Sequence, residues 1–589
     1  MSNSYILPVR NHSNDLPKDS ELLLLGTWAL GEEDLRNKNK LLILDYCYDN
    51  QIELYDDYLY VRKLYSEILP IIGKLMNEYH SLQWGSRSFK IFYGMWLHDY
   101  LPVIRERYQT IQLAIETHPS TKFILTDEDI NILTSSDFKQ KISQDAYNHY
   151  LYSRIVKFID KKTYEDSYFL PKGTKEKSTT NLLTHSFKRK IVNFLLRAFQ
   201  NLFSALTRKS KGAIDWSYFP KMKFLELCVK AFPKITPIIY LPQLRYANTR
   251  ENSAHRAELK YKFKNEFTAQ NIFEEFLVDN LIYDMPLAFI ENFQKVLKAS
   301  HYINIKNKNY LSSNAILSNQ VLQCATADQL SYSNNLIIAQ HGGSYGIAKW
   351  SMQEFYELDV ADRFITFGWS KGEFPKIAKI SHPKLILPIT KKNVVKDKIL
   401  YLTVGQSRYF NRNWSNPTAG KSIINYYENI LSFLKNMDPV VMTKVHVRLS
   451  ASNDEYRIGM KQYLNDMVPL SHGDYYKELQ SAAIVVCDNN QTTFLESLTS
   501  NKPTIIVWNN KYTEINYEAS FYFKELAKVG IFHTCHEEAS SYLSNIVMSD
   551  SIEEWWTERS RQNAVNSFVN EYAKRNLDWV SDYKTIACQ

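Results

Sequence analysis

Short runs of consecutive apolar residues, each closed by a polar turn, recur along this chain and predict parallel strands covered on both faces. The clearest is Ile484–Cys487, IVVC, followed by a polar exit over 488–493. Thr493 and Glu496 then stand in capping-box spacing, Asn501, Lys502 and Pro503 stop the helix, and 504–508 returns as a second strand. This strand–helix–strand unit predicts a helix N-terminus with unpaired amides, delivered at the carboxyl end of a strand. Runs of the same kind occupy 21–30 (ELLLLGTWAL), 40–45, 335–340 (NLIIAQ), 364–369 (FITFGW), 399–404 (ILYLTV) and 439–447 (PVVMTKVHV).

From Tyr60 to Glu116 the period becomes helical, and Trp84, Phe89, Phe92, Trp96 and Tyr100 recur at spacings that place them in a core. A helix is also predicted over 320–328, and the tail over 552–579 reads as helical, with Trp555, Trp556, Phe568, Tyr572 and Trp579. Over 186–212, Ile191, Leu195, Phe199, Leu202, Phe203 and Leu206 share one helical face, while Lys188, Arg189, Lys190, Arg197, Arg208, Lys209 and Lys211 cluster largely at its ends. Such a segment is either an ordinary packed helix or a peripheral contact with an anionic membrane, the inner one in a bacterium.

At 589 residues the chain is long enough for two large domains, since single cores stop growing near ~250–300 residues. With 44% hydrophobic and 23% charged residues it is globular, and 40 tyrosines suit sugar surfaces, where the ring packs on CH faces and the hydroxyl bonds a sugar OH. The formal charge of +8 fits a phosphate-bearing ligand or an anionic surface better than duplex DNA, for which no reading motif is present. Six scattered cysteines, without CxxC or zinc spacing, imply reduced thiols in a cytoplasmic protein. The first 18 residues lack a signal-peptide core, and no apolar run approaches the ~18–20 residues of a membrane span.

Candidate chemistry gathers at the predicted strand exits. Asn490, Gln491, Thr492 and Thr493 lie at the start of a helix, with Glu496 in its first turns, where an anion is favoured. Lys444, His446 and Arg448 leave a second strand as three potential phosphate donors. Arg408 follows the strand over 399–404 beside Gln406 and Ser407. The turn His341-Gly342-Gly343-Ser344-Tyr345-Gly346 follows a strand, its three glycines letting backbone approach a ligand closely. The acids Glu354, Glu357, Asp359 and Asp362 come next, as a solvated face or as a general base or carboxylate nucleophile.

The pair KVHVR and DNNQTTFLE…NKPTI resembles the His-containing strand end and hydroxyl turn of GT-B glycosyltransferases that use CMP-activated sugars, such as bacterial sialyltransferases and Kdo transferases. Val447 stands where a Pro commonly follows the His, and Thr-Thr replaces Ser-Ser. Taken in order, LLGTW, the 84–108 segment, QHGGSYG at 340–346 and YELDVADRFITFGW at 356–369 are also similar to a family of bacterial surface-carbohydrate transferases first described in spirochaetes. The resemblance implies an α/β protein of GT-B type with two Rossmann-like domains facing across a cleft. An N-terminal acceptor domain would span 1–390 with a helical insertion near 160–230, joined through a linker at 391–398 to a nucleotide-binding domain at 391–560. A helix at 561–589 would cross back.

By the same resemblance Arg408, Lys444, His446, Arg448, Asn490, Gln491, Thr492, Thr493 and Glu496 would hold the nucleotide. His341, Glu357 and Asp362 would act on sugar and acceptor. The partners implied are a nucleotide-sugar donor, in which CMP carries Kdo or a nonulosonate, and a surface glycan acceptor that is lipid-linked if 186–212 meets a membrane. No cofactor or metal is required, because CMP departs with its own phosphate. The alternatives are transfer of a polyol phosphate from a CDP-activated donor, and a non-catalytic scaffold of polysaccharide assembly.

Overall fold

The computed structural model describes residues 4–10, 21–30, 42–119, 121–170 and 187–589, apart from 217, 240, 243, 245–248, 331–333, 373–375, 387–393, 406, 450–463 and 465–466; of 187–193 only the helical backbone is described. Residues 391–393 of the predicted linker at 391–398, and Gln406, therefore fall outside the described residues.

Three parallel sheets carry the chain. The first is formed by β1 (Ser4–Leu7), β2 (Glu21–Leu24), β3 (Leu42–Ile43), β4 (Lys122–Leu125) and β5 (Tyr168–Phe169), in the order β3-β2-β1-β4-β5. The second contains β6 (Gly212–Asp215), β7 (Ile235–Ile238), β8 (Asn309–Ser312), β9 (Leu336–Ala339), β10 (Arg363–Thr366) and β11 (Ile377–Lys379), in the order β11-β10-β9-β8-β6-β7. The third holds β12 (Ile399–Leu402), β13 (Val445–Arg448), β14 (Ile484–Cys487), β15 (Thr504–Val507) and β16 (Phe532–His533), in the order β13-β12-β14-β15-β16. Strands β6 to β9, β12, β14 and β15 are buried at every position, and β9, β12, β14 and β15 are accordingly written as almost unbroken apolar runs.

Two expectations are corrected here. The first 390 residues hold two sheets, not one: 21–30 and 40–45 supply β2 and β3 of a separate small layer. The stretch near 160–230 is not simply a helical insertion, since β6 lies in the interior of the second sheet; its four residues, GAID, are too short and mixed to stand out beside a strongly patterned helix. The run 439–447 also divides, into a helical turn at Pro439–Met442 and the strand β13.

In the second and third sheets the second strand pairs outside the first, and the third strand pairs on the first strand's other side. This is the doubly wound order, in which successive connections cover opposite faces. Their carboxyl ends face each other across a cleft, giving a GT-B arrangement with the first sheet as an added layer. Helix Arg559–Tyr572 packs on the third-sheet domain, and the chain then returns: the Lys574 amide donates to the Phe367 carbonyl at 2.6 Å. Helix Trp579–Cys588 lays Trp579 and Tyr583 against Ile214, Ile235 and Leu311 of the second sheet. Phe92, Trp96 and Tyr100 are fully buried, with Trp84 and Phe89 packed half-buried against the same core. Among the described residues no helix is long and apolar enough to cross a membrane.

Candidate functional site

Where strand order reverses in a doubly wound sheet, the two flanking connections leave on opposite faces and open a crevice at the strands' carboxyl ends. In the third sheet this point lies between β12 and β14. The loops emerging there wall a cavity of about 300 Å3, lined by Thr403, Ser407, Arg412, Trp414, Thr418, Asn489, Gln491 and Thr493 among others. Helix Thr492–Thr499 opens into it with Gln491 as an extended N-cap that makes no side-chain cap bond. Its first amides therefore carry a partial positive charge toward the cavity. The predicted capping box does not form. Glu496 is buried beneath the turn, 3.6 Å from the Lys384 ammonium, its carboxyl raised by burial against the pull of that lysine.

A second cavity, of about 510 Å3, adjoins the first and shares Asn411, Arg412, Trp414 and Gln491 with it. Its other wall comes from the N-terminal half: Asp99, Lys139, His341, Gly342, Ser344 and Gln353. Arg412 stands at the junction. It is exposed, its guanidinium carbon lies 5.3 Å from the Trp414 ring centre, and among the described residues it makes no ion pair. On the far wall Asp99 is held by His98 at 3.0 Å and Lys139 at 3.1 Å. Burial would lift the Asp99 carboxyl, but Lys139 and His98 together keep it below its usual range.

The loop bearing Arg412 is fixed by the added first layer. The fully buried Arg107 guanidinium pairs with Glu106 and donates to Asn148 Oδ1 at 2.8 Å and to the Phe410 carbonyl at 3.1 Å. Arg408 pairs with Asp145, which also accepts the Tyr409 hydroxyl, so Arg408 is a buried tether between layers and does not line the cavity. Four residues farther on, Arg412 is what the tether presents to the crevice.

At Gly343 the two halves are in direct backbone contact. An added Cβ there would stand 2.5 Å from the Gln491 carbonyl and 2.7 Å from the Thr492 amide, so only glycine fits. Gly346 has φ +70, and a Cβ would meet the Trp369 ring at 2.3 Å. Gln340 staples this turn by donating to the Gly342 carbonyl at 2.7 Å while accepting from the Phe367 amide and the Trp369 indole. Tyr218, just past β6 with φ +62, reaches across to Thr492 Oγ1 at 3.0 Å and accepts from the Lys384 ammonium at 2.9 Å.

His341 lies at the exit of β9 on the second cavity. Burial, reinforced by Arg412, Lys139 and Lys384, pushes its pKa down to about 3, so the ring is neutral. Glu357, on helix Met352–Val360, is fully buried behind it; its carboxyl accepts from Tyr345 at 2.6 Å and Gln353 at 3.0 Å, and lies 3.8 Å from His341 Nδ1. Glu357 thus reaches the cavity only through His341, Tyr345 and Gln353. Burial raises its carboxyl to about 8 from 4.5, the hydrogen bonds from Tyr345 and Gln353 notwithstanding. A carboxyl raised on folding contributes stability that is complete below about 4.5 and is lost as pH climbs through about 8. Glu357→Gln is therefore expected to flatten the fall in Tm across that window. Asp488, raised by burial to about 7, leaves a residual slope of the same sign. Thermal unfolding of both proteins against pH checks this, and parallel curves would refute it.

The remaining predicted residues are placed elsewhere. His446 and Arg448 alternate with Val445 and Val447 on one face of edge strand β13, and Lys444 precedes the strand, so the three do not converge at its tip. Lys444 pairs with Asp397 at 3.0 Å, before the strand begins. Arg448 donates to the Gly473 carbonyl at 2.7 Å and to Glu478 at 3.1 Å. His446 is partly buried, its pKa lowered by burial and then by Lys398. Asp362 sits at the amino end of β10, away from the cleft, pairing with Arg87 and accepting the Leu336 amide at 2.7 Å. Asn490 is buried below the turn, whereas Gln491 and Thr493 line the first cavity. Among the described residues no cluster of three or more His, Cys, Asp or Glu side chains could hold a metal ion.

A family model described as LIC12162 family transferase matches residues 5–586. No curated protein matches the chain. Among solved structures, a UDP-forming α,α-trehalose-phosphate synthase from Burkholderia xenovorans in complex with glucose-6-phosphate is 8% identical, covering 56% of this chain and 85% of its own, with a TM-score of 0.31. The spinosyn rhamnosyltransferase SpnG is 10% identical over 64% of this chain and 99% of its own, with a TM-score of 0.32. LpCGTa in complex with UDP is 11% identical over 66% of this chain and 94% of its own, with a TM-score of 0.29. The fold assignment rests on the strand orders given above.

Proposed function

The chain belongs to the LIC12162 family of transferases, and from that premise we propose that it is a glycosyltransferase moving an acidic sugar, Kdo or a nonulosonate, from a CMP-activated donor to a bacterial surface glycan. The observation that carries this reading is the pairing of an uncapped helix start at Gln491–Thr493 with the Arg412 guanidinium, which makes no ion pair among the described residues, across one cavity at the switch point. An anion between them gains backbone N–H donors, the helix dipole and a planar fork of guanidinium donors. The phosphate of CMP is such an anion. As the sugar departs from it, negative charge builds on that phosphate, and the same groups stabilise it.

The sugar then points into the adjoining cavity, toward Lys139 and His341. A carboxylate on the sugar complements Lys139 and Arg412. His341 is placed to receive the acceptor hydroxyl proton: it is neutral, it lines the cavity, and a bound anion offsets the cations that depress its pKa. Gln353 and Tyr345 tie the ring to buried Glu357, which positions it. Thr492, bound to Tyr218, ties the nucleotide turn to the acceptor half.

A screen of CMP, CDP, UDP and GDP by thermal shift tests the reading. CMP at 100 times its dissociation constant is expected to add about 2.7 kcal/mol of stability. A scaffold without the chemistry predicts no stabilisation by any of the four, and preference for a purine nucleotide would overturn the donor assignment. Product analysis with a CMP-sugar against CDP-glycerol separates sugar transfer from polyol-phosphate transfer.

A further inference from the structure

Helix Phe187–Leu206 is packed the unexpected way round. It rests on the second sheet through Leu196, Gln200, Phe203 and Thr207, with Gln200 buried and accepting the Ile239 amide at 2.8 Å. Its apolar stripe faces outward: Phe194 is 71% exposed, Leu195 49%, Phe199 52%, Leu202 53% and Leu206 57%. Helix Lys221–Ala231 repeats the pattern. Phe224, Leu227 and Ala231 are buried, while Met222, Leu225, Val229 and, just past its end, Phe232 are 73%, 54%, 69% and 44% exposed. Both helices pack on β7, the edge strand of the second sheet, and exposed apolar residues on each mark a contact surface, because monomers rarely leave such patches open.

The chemistry of the rim identifies the partner. The end of the first helix and the chain just past the end of the second line a groove of about 750 Å3 that includes Leu206, Arg208, Lys209, Lys211 and Lys234 and is lined by no acid. Among the described residues none of these four cations is in an ion pair, and from 177 to 214 the sequence contains no Asp or Glu. An apolar face bordered by unpaired cations matches an anionic bilayer, whose acyl boundary receives the Phe and Leu side chains and whose phosphates meet the cations.

We propose that the two helices seat the protein on an anionic phospholipid membrane, with the groove at Arg208, Lys209, Lys211 and Lys234 holding lipid phosphate. The inference stands apart from the donor chemistry. It places the enzyme where a lipid-linked acceptor is found, and it includes the second helix, which the sequence pattern of 186–212 does not reveal. Deleting 186–212 would remove Gly212, the first residue of β6, so substitutions are the sounder probe.

Co-sedimentation of the full chain with phosphatidylcholine vesicles, with and without about one-third phosphatidylglycerol, tests it. The protein is expected to bind the anionic vesicles, to release with salt, and to bind neutral vesicles at least about tenfold more weakly. The triple substitution Arg208→Gln, Lys209→Gln, Lys211→Gln is expected to lower partitioning on the order of 100-fold. Phe199→Ser with Leu202→Ser should lower it as well. All five side chains are at the surface, so Tm and the CMP-dependent shift are expected to stay unchanged, which separates failure here from failure of the donor reading. Wild-type protein that ignores anionic vesicles, equal binding to neutral ones, or partitioning unmoved by both variants would overturn the proposal. So would concentration-dependent dimerisation through this face, or its coverage by residues 171–186.

Discussion

Arg412→Met is expected to weaken CMP binding by about 10- to 100-fold, the cost of a charge-assisted hydrogen-bonded contact to phosphate, while leaving Tm without ligand nearly unchanged. The second half of this expectation follows from the first. Arg412 is exposed and makes no ion pair among the described residues, so its removal strands no buried carboxylate. Arg408→Met behaves oppositely: it leaves Asp145 buried without its cation, and such a loss typically costs ~3–5 kcal/mol of stability. His446→Ala, on the edge strand, is expected to keep CMP affinity within about twofold, since no contact in the cavity is lost. Calorimetric titration with CMP on the three variants decides the matter. Equal affinity of Arg412→Met and wild type, or a His446→Ala loss as large as that of Arg412→Met, would return the phosphate to β13.

Gly343→Val is expected to lower turnover by about 100-fold or more with little loss of CMP affinity. The glycine packs against the peptide joining Gln491 to Thr492, the backbone that opens helix Thr492–Thr499. Because the obstructing atoms are main chain, no side-chain rotation relieves the overlap, and the two halves must separate. The first cavity lies wholly on loops of the third-sheet domain and survives this separation, whereas alignment with His341 and Lys139 across the cleft does not. A displacement of ~1 Å between donor and acceptor suffices for an effect of this size. Single-turnover kinetics beside CMP titration checks it: a loss of affinity matching the loss of turnover would show that the contact belongs to the nucleotide pocket itself.

What could be read from the residues alone was whatever depends on neighbours along the chain. Unbroken apolar runs marked β9, β12, β14 and β15, the helical period marked Phe92, Trp96 and Tyr100 as core, and a strand followed at once by a polar turn and a helix marked Gln491 to Thr493. Even these readings stop at the first tertiary contact. Thr493 and Glu496 have capping-box spacing, yet burial beside Lys384 takes Glu496 away from the cap. Two arginines four residues apart in one loop look interchangeable in sequence. Only Asp145, brought from a helix of the added layer, decides that Arg408 is a tether and Arg412 the exposed cation.

Local pattern was enough to set the α/β class, the parallel strands and the start of helix Thr492–Thr499, because hydrophobic periodicity and turn chemistry act within a few residues. The tertiary structure alone decided that there are three sheets, that Lys444, His446 and Arg448 do not converge at the tip of an edge strand, and that Asp362 sits at the wrong end of its own. It also decided that helix Phe187–Leu206 turns its apolar stripe outward. The physical reason is common to all of them: which end or face of an element meets the cleft is set by strand order and by charges paired across long separations, and neither is written in local spacing.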